Sequence, residues 1–224
     1  MIVFAVAAGV SVANLYYIQP LLHSVARDFG VSSTTAGLTV TVTQAGYVLG
    51  LVFVVPLGDM VRRKPLVLVM VGACFASLVL SGSSSTMPVL MAALVVVGLS
   101  SVVVQILIPF AATLAPEAER GTVVGRIMSG LLIGILLART VSGFVAQFSS
   151  WRTIYIVASA LMVLLAGFLA KNLPNLVASD PQPYGRLLSS TLQIATGDPV
   201  IRRRSLFGAA SFCMLRLVQS SRSP

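Results

Sequence analysis

The chain has 224 residues, of which 57% are hydrophobic and only 9% charged, with a net charge of +9. A soluble domain carries roughly 45–50% apolar and about 25% charged residues, and so few charges do not cover the surface of a water-soluble fold of this length. The positive charge does not point to nucleic acid either, because the basic residues sit in short clusters between apolar runs with no interleaved aromatic residues.

A membrane-crossing helix needs about 20 mainly apolar residues, and six such runs follow one another. The first covers 2–22. It has no basic leading segment and no small-x-small cleavage site, and it contains Asn14, Tyr16, Tyr17 and Gln19, so it is not a secretory signal peptide. His23, just past it, reads as a helix-end residue. A Ser/Thr-rich stretch at 32–35 precedes the second run, 37–57. The third, 66–81, carries Cys74 as a small packing residue and ends at a Gly/Ser turn, 82–85. The fourth covers 88–114, the fifth 123–148, and the sixth 151–170 after a Ser-Ser-Trp turn. Pro88 and Pro116 lie at run ends, where proline costs a helix little. The two cysteines, Cys74 and Cys213, form no CxxC or Cys/His spacing, so neither a metal nor another cofactor is expected.

Lysine and arginine are distributed unevenly between alternate loops. One side holds Arg62, Arg63, Lys64, Arg120, Arg126, Lys171, Arg186, Arg202, Arg203 and Arg204; the other holds Arg27 and Arg152. The basic side is expected to be cytoplasmic, which puts the amino terminus inside and makes the chain a multi-pass protein of the inner (plasma) membrane. Domain organisation reads as a six-helix transmembrane unit, 1–171, then a cytoplasmic linker, 172–205, rich in proline and carrying a short amphipathic stretch at 185–194. The triplet Arg202, Arg203 and Arg204 suits anionic headgroups and equally a plain stop-transfer cluster. At 206–212 a seventh apolar run starts and then fails at Arg216, Gln219 and Ser220, so 206–224 reads as an aborted seventh helix or a frame-shifted tail.

An ionisable residue inside a span is a functional candidate, and Arg139 is the one that qualifies. It lies about 13 residues into the fifth run, roughly 20 Å deep at about 1.5 Å per residue, where insertion costs about 2.5–3.5 kcal/mol. No Asp or Glu lies within any of the six runs, so Arg139 either meets a water-filled cavity or an anionic partner, or is a snorkelling structural residue. Gly130 and Gly134 have the small-xxx-small spacing that permits close helix approach, and Gly143 continues the series. Asn14 and Tyr17, like Gln44 and Tyr47, are three residues apart and so share a face; with Gln105 they either line a hydrophilic cavity between the first, second, fourth and fifth helices or form interhelical hydrogen bonds.

The loop Val55-Pro56-Leu57-Gly58-Asp59-Met60-Val61-Arg62-Arg63-Lys64 resembles the signature G-x-L-a-D-r-x-G-r-[rk] between helices 2 and 3 of the major facilitator superfamily. Leu57, Asp59, Arg63 and Lys64 match, and Gly58 fits the small position; Val55, Met60 and Arg62 depart from it. A carboxylate at a helix end beside basic residues can form a cytoplasmic charge clasp. The stretch NLYYIQPLL at 14–22 is similar to the first helix of efflux-type members, 116–125 and 130–143 resemble their 4–5 loop and fifth helix, and Trp151-Arg152 resembles the opening of their sixth. The arginine usual in the fourth helix of drug/proton antiporters is absent, and Arg139-Thr140 stands where their fifth helix has Gly-Pro, so proton antiport is not secured by these residues and any coupling carboxylate would have to lie elsewhere.

The resemblance implies an all-α membrane fold of six helices in two inverted three-helix repeats, half of a twelve-helix transporter, with the solute near the midplane. The implied activity is secondary transport of a small organic solute, efflux-like, by alternating access. The expected partners are that solute, the lipid bilayer, and a second six-helix half or a second copy of the chain. The alternatives are a truncated, non-transporting remnant and a half-size subunit acting as a homodimer. An intramembrane enzyme is not expected: there is no HExxH, no carboxylate pair, and no nucleophile beside a base.

Overall fold

The computed structural model describes residues 2–174, apart from the side chain of Asp59; the linker residues beyond 174, the amphipathic stretch at 185–194, the Arg202–204 triplet and the tail 206–224 lie outside the described residues. Among the described residues the fold is helical: α1 (Ile2–Ala13), α2 (Leu22–Phe29), α3 (Ser33–Phe53), α4 (Arg63–Gly82), α5 (Met87–Ser101), α6 (Val103–Leu114), α7 (Arg120–Phe148) and α8 (Trp151–Asn172), with short 3-10 turns at Gln19–Leu21, Val55–Asp59 and Glu117–Glu119.

Five spans are long enough to cross a bilayer: α3, α4, the α5–α6 pair, α7 and α8. The first span differs from the single helix expected over 2–22. Its α1 has 12 residues, about 18 Å of helix, too short for a hydrocarbon core of about 30 Å. The cause is local. Pro20 has no N–H to offer the carbonyl of Tyr16, which accepts from the Gln19 N–H at 3.3 Å instead. Through this stretch the backbone bonds i to i+3, with Leu15 N–H on Val12, Tyr16 N–H on Ala13 and Leu21 N–H on Ile18. The first span is therefore a helix, a tightened turn and a second helix. The α2 helix ends on Gly30 in the left-handed region (φ 63°), whose N–H closes on the carbonyls of Ala26 and Arg27. Ser32 then caps α3 by accepting from the Thr35 N–H at 3.1 Å.

The fourth span is also interrupted, at Val102 between α5 and α6. Ser100 and Ser101 donate back to the carbonyls of Val96 and Val97, both at 2.7 Å, a pattern that bends helices. Four residues before Pro109 in α6 the carbonyl of Gln105 loses its helical donor.

Helices of one span meet those of another where side chains vanish. At the α1–α7 crossing a Cβ on Gly9 would sit 2.6 Å from the Gly130 carbonyl oxygen, and one on Gly130 would sit 2.5 Å from that of Ala5. At the α3–α5 crossing a Cβ on Gly98 would sit 2.8 Å from the Tyr47 nitrogen, and one on Gly50 would sit 2.7 Å from the Leu99 carbonyl. The third pair, α4 with α8, packs around Tyr155, Leu78 and Met162, all fully buried. Spans one with five, four with two, and three with six is the pairing that two inverted three-helix repeats generate. Phe4 of α1 and Phe110 of α6 close the inside of the bundle edge-to-face at 5.8 Å.

Candidate functional site

The α7 helix runs from Arg120 to Phe148, so Arg139 lies nine residues before the Phe148 end, about 13 Å from it. Its side chain is exposed. The guanidinium lies over the ring of Tyr16, 5.2 Å from the centroid, within the range of a cation–π contact. Tyr16 sits in the tightened turn of the first span, and this turn approaches α7 again at Pro20, whose Cβ lies 3.8 Å from the position a Cβ on Gly143 would take. Gly143 thus has room for a methyl group, unlike Gly130 and Gly134. No described carboxylate pairs with Arg139; the acidic residues among those described, Asp28, Asp59, Glu117 and Glu119, all lie at span ends.

Asn14 and Tyr17 are both buried in the bundle, only 2% and 7% exposed. The Asn14 amide nitrogen approaches the sulfurs of Cys74 at 3.3 Å and Met162 at 3.7 Å, while its oxygen has no hydrogen-bond donor in the structure. Tyr16, passed over by the three-residue spacing argument, is half-buried and is the ring over which Arg139 lies.

Gln44, Tyr47 and Gln105 are half-buried. Gln105 Nε2 of α6 donates to Tyr47 Oη of α3 at 3.0 Å, tying the second span to the α6 piece of the fourth. Tyr47→Phe removes the acceptor and is expected to cost about 0.6 kcal/mol, the average for interhelical side-chain hydrogen bonds in a membrane bundle, read from the midpoint of detergent-induced unfolding.

In the 2–3 loop the turn Val55–Asp59 carries Leu57, which is half-buried, and Gly58, which is buried against Ile106; a Cβ there would meet that side chain at 3.3 Å. Arg63 Nε donates to the Gly58 carbonyl at 3.2 Å, and its guanidinium lies 5.8 Å from the Phe110 ring centroid. Lys64 is half-buried at the start of α4. A cavity of about 50 Å³ lies between Val55, Gly58, Arg63, Gln105, Ile106 and Pro109.

At the opposite end lies a cluster the spacing arguments passed over. Asp28 of α2 forms an ion pair with Arg152 of α8 and accepts from Trp151 Nε1 at 3.1 Å. Arg152 also donates to the carbonyl of Ser84 at 2.9 Å and lies over the rings of Trp151 at 4.4 Å and Phe29 at 5.6 Å. One guanidinium therefore joins the 1–2, 3–4 and 5–6 connections. The hydrogen bond from Arg152 holds the Asp28 carboxyl below the usual carboxylate range, against the opposing effect of its slight burial and with further help from Trp151. The sequence signal was opposite charges in two loops assigned to the same side.

Coverage across the bundle is uneven. The fourth span is 61% buried, whereas the fifth is 17% and the second 28%. A six-span bundle with inverted internal pairing, two interrupted spans and two such uncovered helices has the build of one half of a two-bundle membrane transporter. Residues 4–221 match the Major Facilitator Superfamily, and the chain belongs to that family. It is 42% identical over 221 residues to the "Putative uncharacterized transporter YgaY" of Escherichia coli K12, covering 99% of this chain and 56% of that protein. A probable transporter of Streptomyces coelicolor is 33% identical over 170 residues, 76% of this chain and 40% of the other. The inward-open structure of the xylose transporter XylE from E. coli superposes with a TM-score of 0.67 at 17% identity, over 94% of this chain and 55% of that one. The chain spans about half the length of the curated relatives it matches.

Proposed function

We propose that this chain forms one wall of a secondary transporter that moves small organic solutes across the inner membrane by alternating access, in the efflux direction, with its amino terminus in the cytoplasm. The observation that carries this reading is Arg139: a charge well inside a span, exposed, with no described carboxylate paired to it. Such a residue costs about 2.5–3.5 kcal/mol in lipid, and a wet solute pathway removes that cost. Gln44, Tyr47 and Gln105 supply further polar groups for the same pathway. The excess of lysine and arginine on the side of the 2–3 and 4–5 loops supports the orientation, and the likeness of 14–22 to efflux-type members supports the direction.

A pathway needs a second wall. The exposed apolar side chains of α7 (Leu132, Ile133, Leu136, Leu137 and Phe144) and of α3 (Val48, Leu49, Val52 and Phe53) favour a companion six-helix unit, either a second half or a second copy of the chain. The test is solute flux in inverted membrane vesicles from cells expressing the chain, wild type against Arg139→Ala. Accumulation above control vesicles that falls at least tenfold in the variant supports the proposal. Flux no greater than in control vesicles defeats it and leaves the non-transporting remnant as the reading; cross-linking in the same membranes reads out self-association.

A further inference from the structure

We infer that Arg139, stacked on Tyr16, is an anion-recognition site that selects a carboxylate- or phosphate-bearing solute with an apolar body; this rests on the transport reading above and narrows it to a substrate class. Two observations converge. The carboxylates among the described residues all stand at span ends, and Asp28 is already committed to Arg152 and Trp151. The guanidinium is held in place from one face only, by the Tyr16 ring at 5.2 Å, which leaves its in-plane N–H fork for a bidentate acceptor.

The surroundings agree with an anion and oppose a cation. The neighbouring hydroxyls give an anion no further donor, since Thr140 donates to the Leu136 carbonyl at 3.1 Å and Ser142 to that of Ala138 at 2.6 Å, so the guanidinium is the donor an anion would meet. A cationic solute would meet an uncompensated like charge. An anion would be neutralised by the fork while its apolar body lies along the half-buried Tyr16 ring. Gln19, half-buried three residues further along the same turn, is the nearest side-chain amide in sequence able to donate to the same ligand. The shared chemistry, an anionic oxygen pair, is also that of a lipid headgroup, and the two sources are separable.

The test uses the purified full-length chain in nanodiscs of phosphatidylcholine, with benzoate as probe and benzamide and benzylammonium as neutral and cationic counterparts of the same shape. The readout is the thermal unfolding midpoint followed by the fluorescence of Trp151. Saturating benzoate is expected to raise the midpoint by about 2 °C or more, benzamide and benzylammonium not at all; Arg139→Lys retains part of the shift and Arg139→Gln none. Phosphatidylglycerol nanodiscs supply the second arm. A midpoint raised by that lipid in the wild type but not in Arg139→Gln, with no benzoate shift in phosphatidylcholine, keeps the anion site and assigns its occupant to the bilayer, which overturns the solute class. An equal shift for all three probes, a benzoate shift that survives Arg139→Gln, or no response to either anion overturns the inference. Because this readout is binding, it fails independently of vesicle flux, and Arg139→Lys keeps the test decisive if the glutamine variant does not fold.

Discussion

Gly98→Leu is expected to prevent the bundle from assembling. The α3 and α5 backbones are so close that a single Cβ on Gly98 would collide with the Thr43 carbonyl and lie 2.8 Å from the Tyr47 nitrogen, and one on Gly46 would lie 2.9 Å from the Val95 carbonyl carbon. These obstacles are backbone atoms on both sides, so no rotamer change relieves them. Separating the helices enough to admit a leucine forfeits the van der Waals packing that drives association in lipid, where helices gain no hydrophobic energy from meeting. Overpacking of a fitted interior costs about 1–3 kcal/mol and sometimes more, and here the Tyr47–Gln105 bond near the same crossing is strained as well. Gly134→Leu should act alike at the α1–α7 crossing, where Gly9 is the obstacle. Gly72→Ala and Gly167→Ala are the controls. Nothing lies within 4 Å of a Cβ at either position, and replacing a helical glycine by alanine gains up to about 1 kcal/mol. Detergent-induced unfolding and the yield of monodisperse protein separate the two classes; a Gly98→Leu protein as stable as the wild type would contradict the packing described.

Arg152→Ala is expected to loosen its end of the bundle by about 1–2 kcal/mol, with the ends of the first, third and sixth spans affected together. The charge pair is the smaller part. Asp28 and Arg152 are 40% and 30% exposed, so solvent screens their attraction. The larger part is the bond to the Ser84 carbonyl and the stacking on Trp151 and Phe29. Arg152→Lys should therefore recover less than half of the loss, because an ammonium offers neither the fork nor the flat stacking surface. Hydrogen exchange at the three connections reads this directly. The pH dependence follows from Asp28. Its folded carboxyl is held below its ordinary value, so the contribution is complete above the unfolded pKa of about 3.9 and is lost as pH falls through the lower folded value. Stability near neutrality should be flat with respect to this group, and Asp28→Asn should lower stability near neutrality while removing that part of its acid-side decline.

Much of this architecture was legible in the sequence because bilayer thickness imposes a length on apolar runs. The second to sixth spans lie near their expected positions, and the small residues of α7 announced a close crossing. The first span was legible as apolar but not as broken: hydropathy averages over Pro20 and the i to i+3 bonds around Tyr16. Side-chain direction is left open by the sequence between a cavity and interhelical hydrogen bonds. A three-residue spacing put Asn14 and Tyr17 on one face, but it has no means of saying whether the face points at Cys74 and Met162 or at a pathway, and only Tyr16 reaches Arg139. Partners at long range, such as Asp28 with Arg152 or Tyr47 with Gln105, depend on how spans pack, which no local pattern encodes.

The central claim, that the face carrying Gln44 and Arg139 is a wet pathway wall while the outer face of α8 meets lipid, is tested most directly by cysteine accessibility in cells expressing the full chain. Cys74→Ala and Cys213→Ala provide the background, and single cysteines are placed at Gln44, at Arg139, at Leu164 of α8, which is 69% exposed, and at Ser85 in an exposed connection. A membrane-impermeant maleimide reacts with the thiolate, which forms only where water reaches. The account predicts labelling at 44, 139 and 85 and none at 164. Labelling at 85 with 44 and 139 as unreactive as 164 would contradict it.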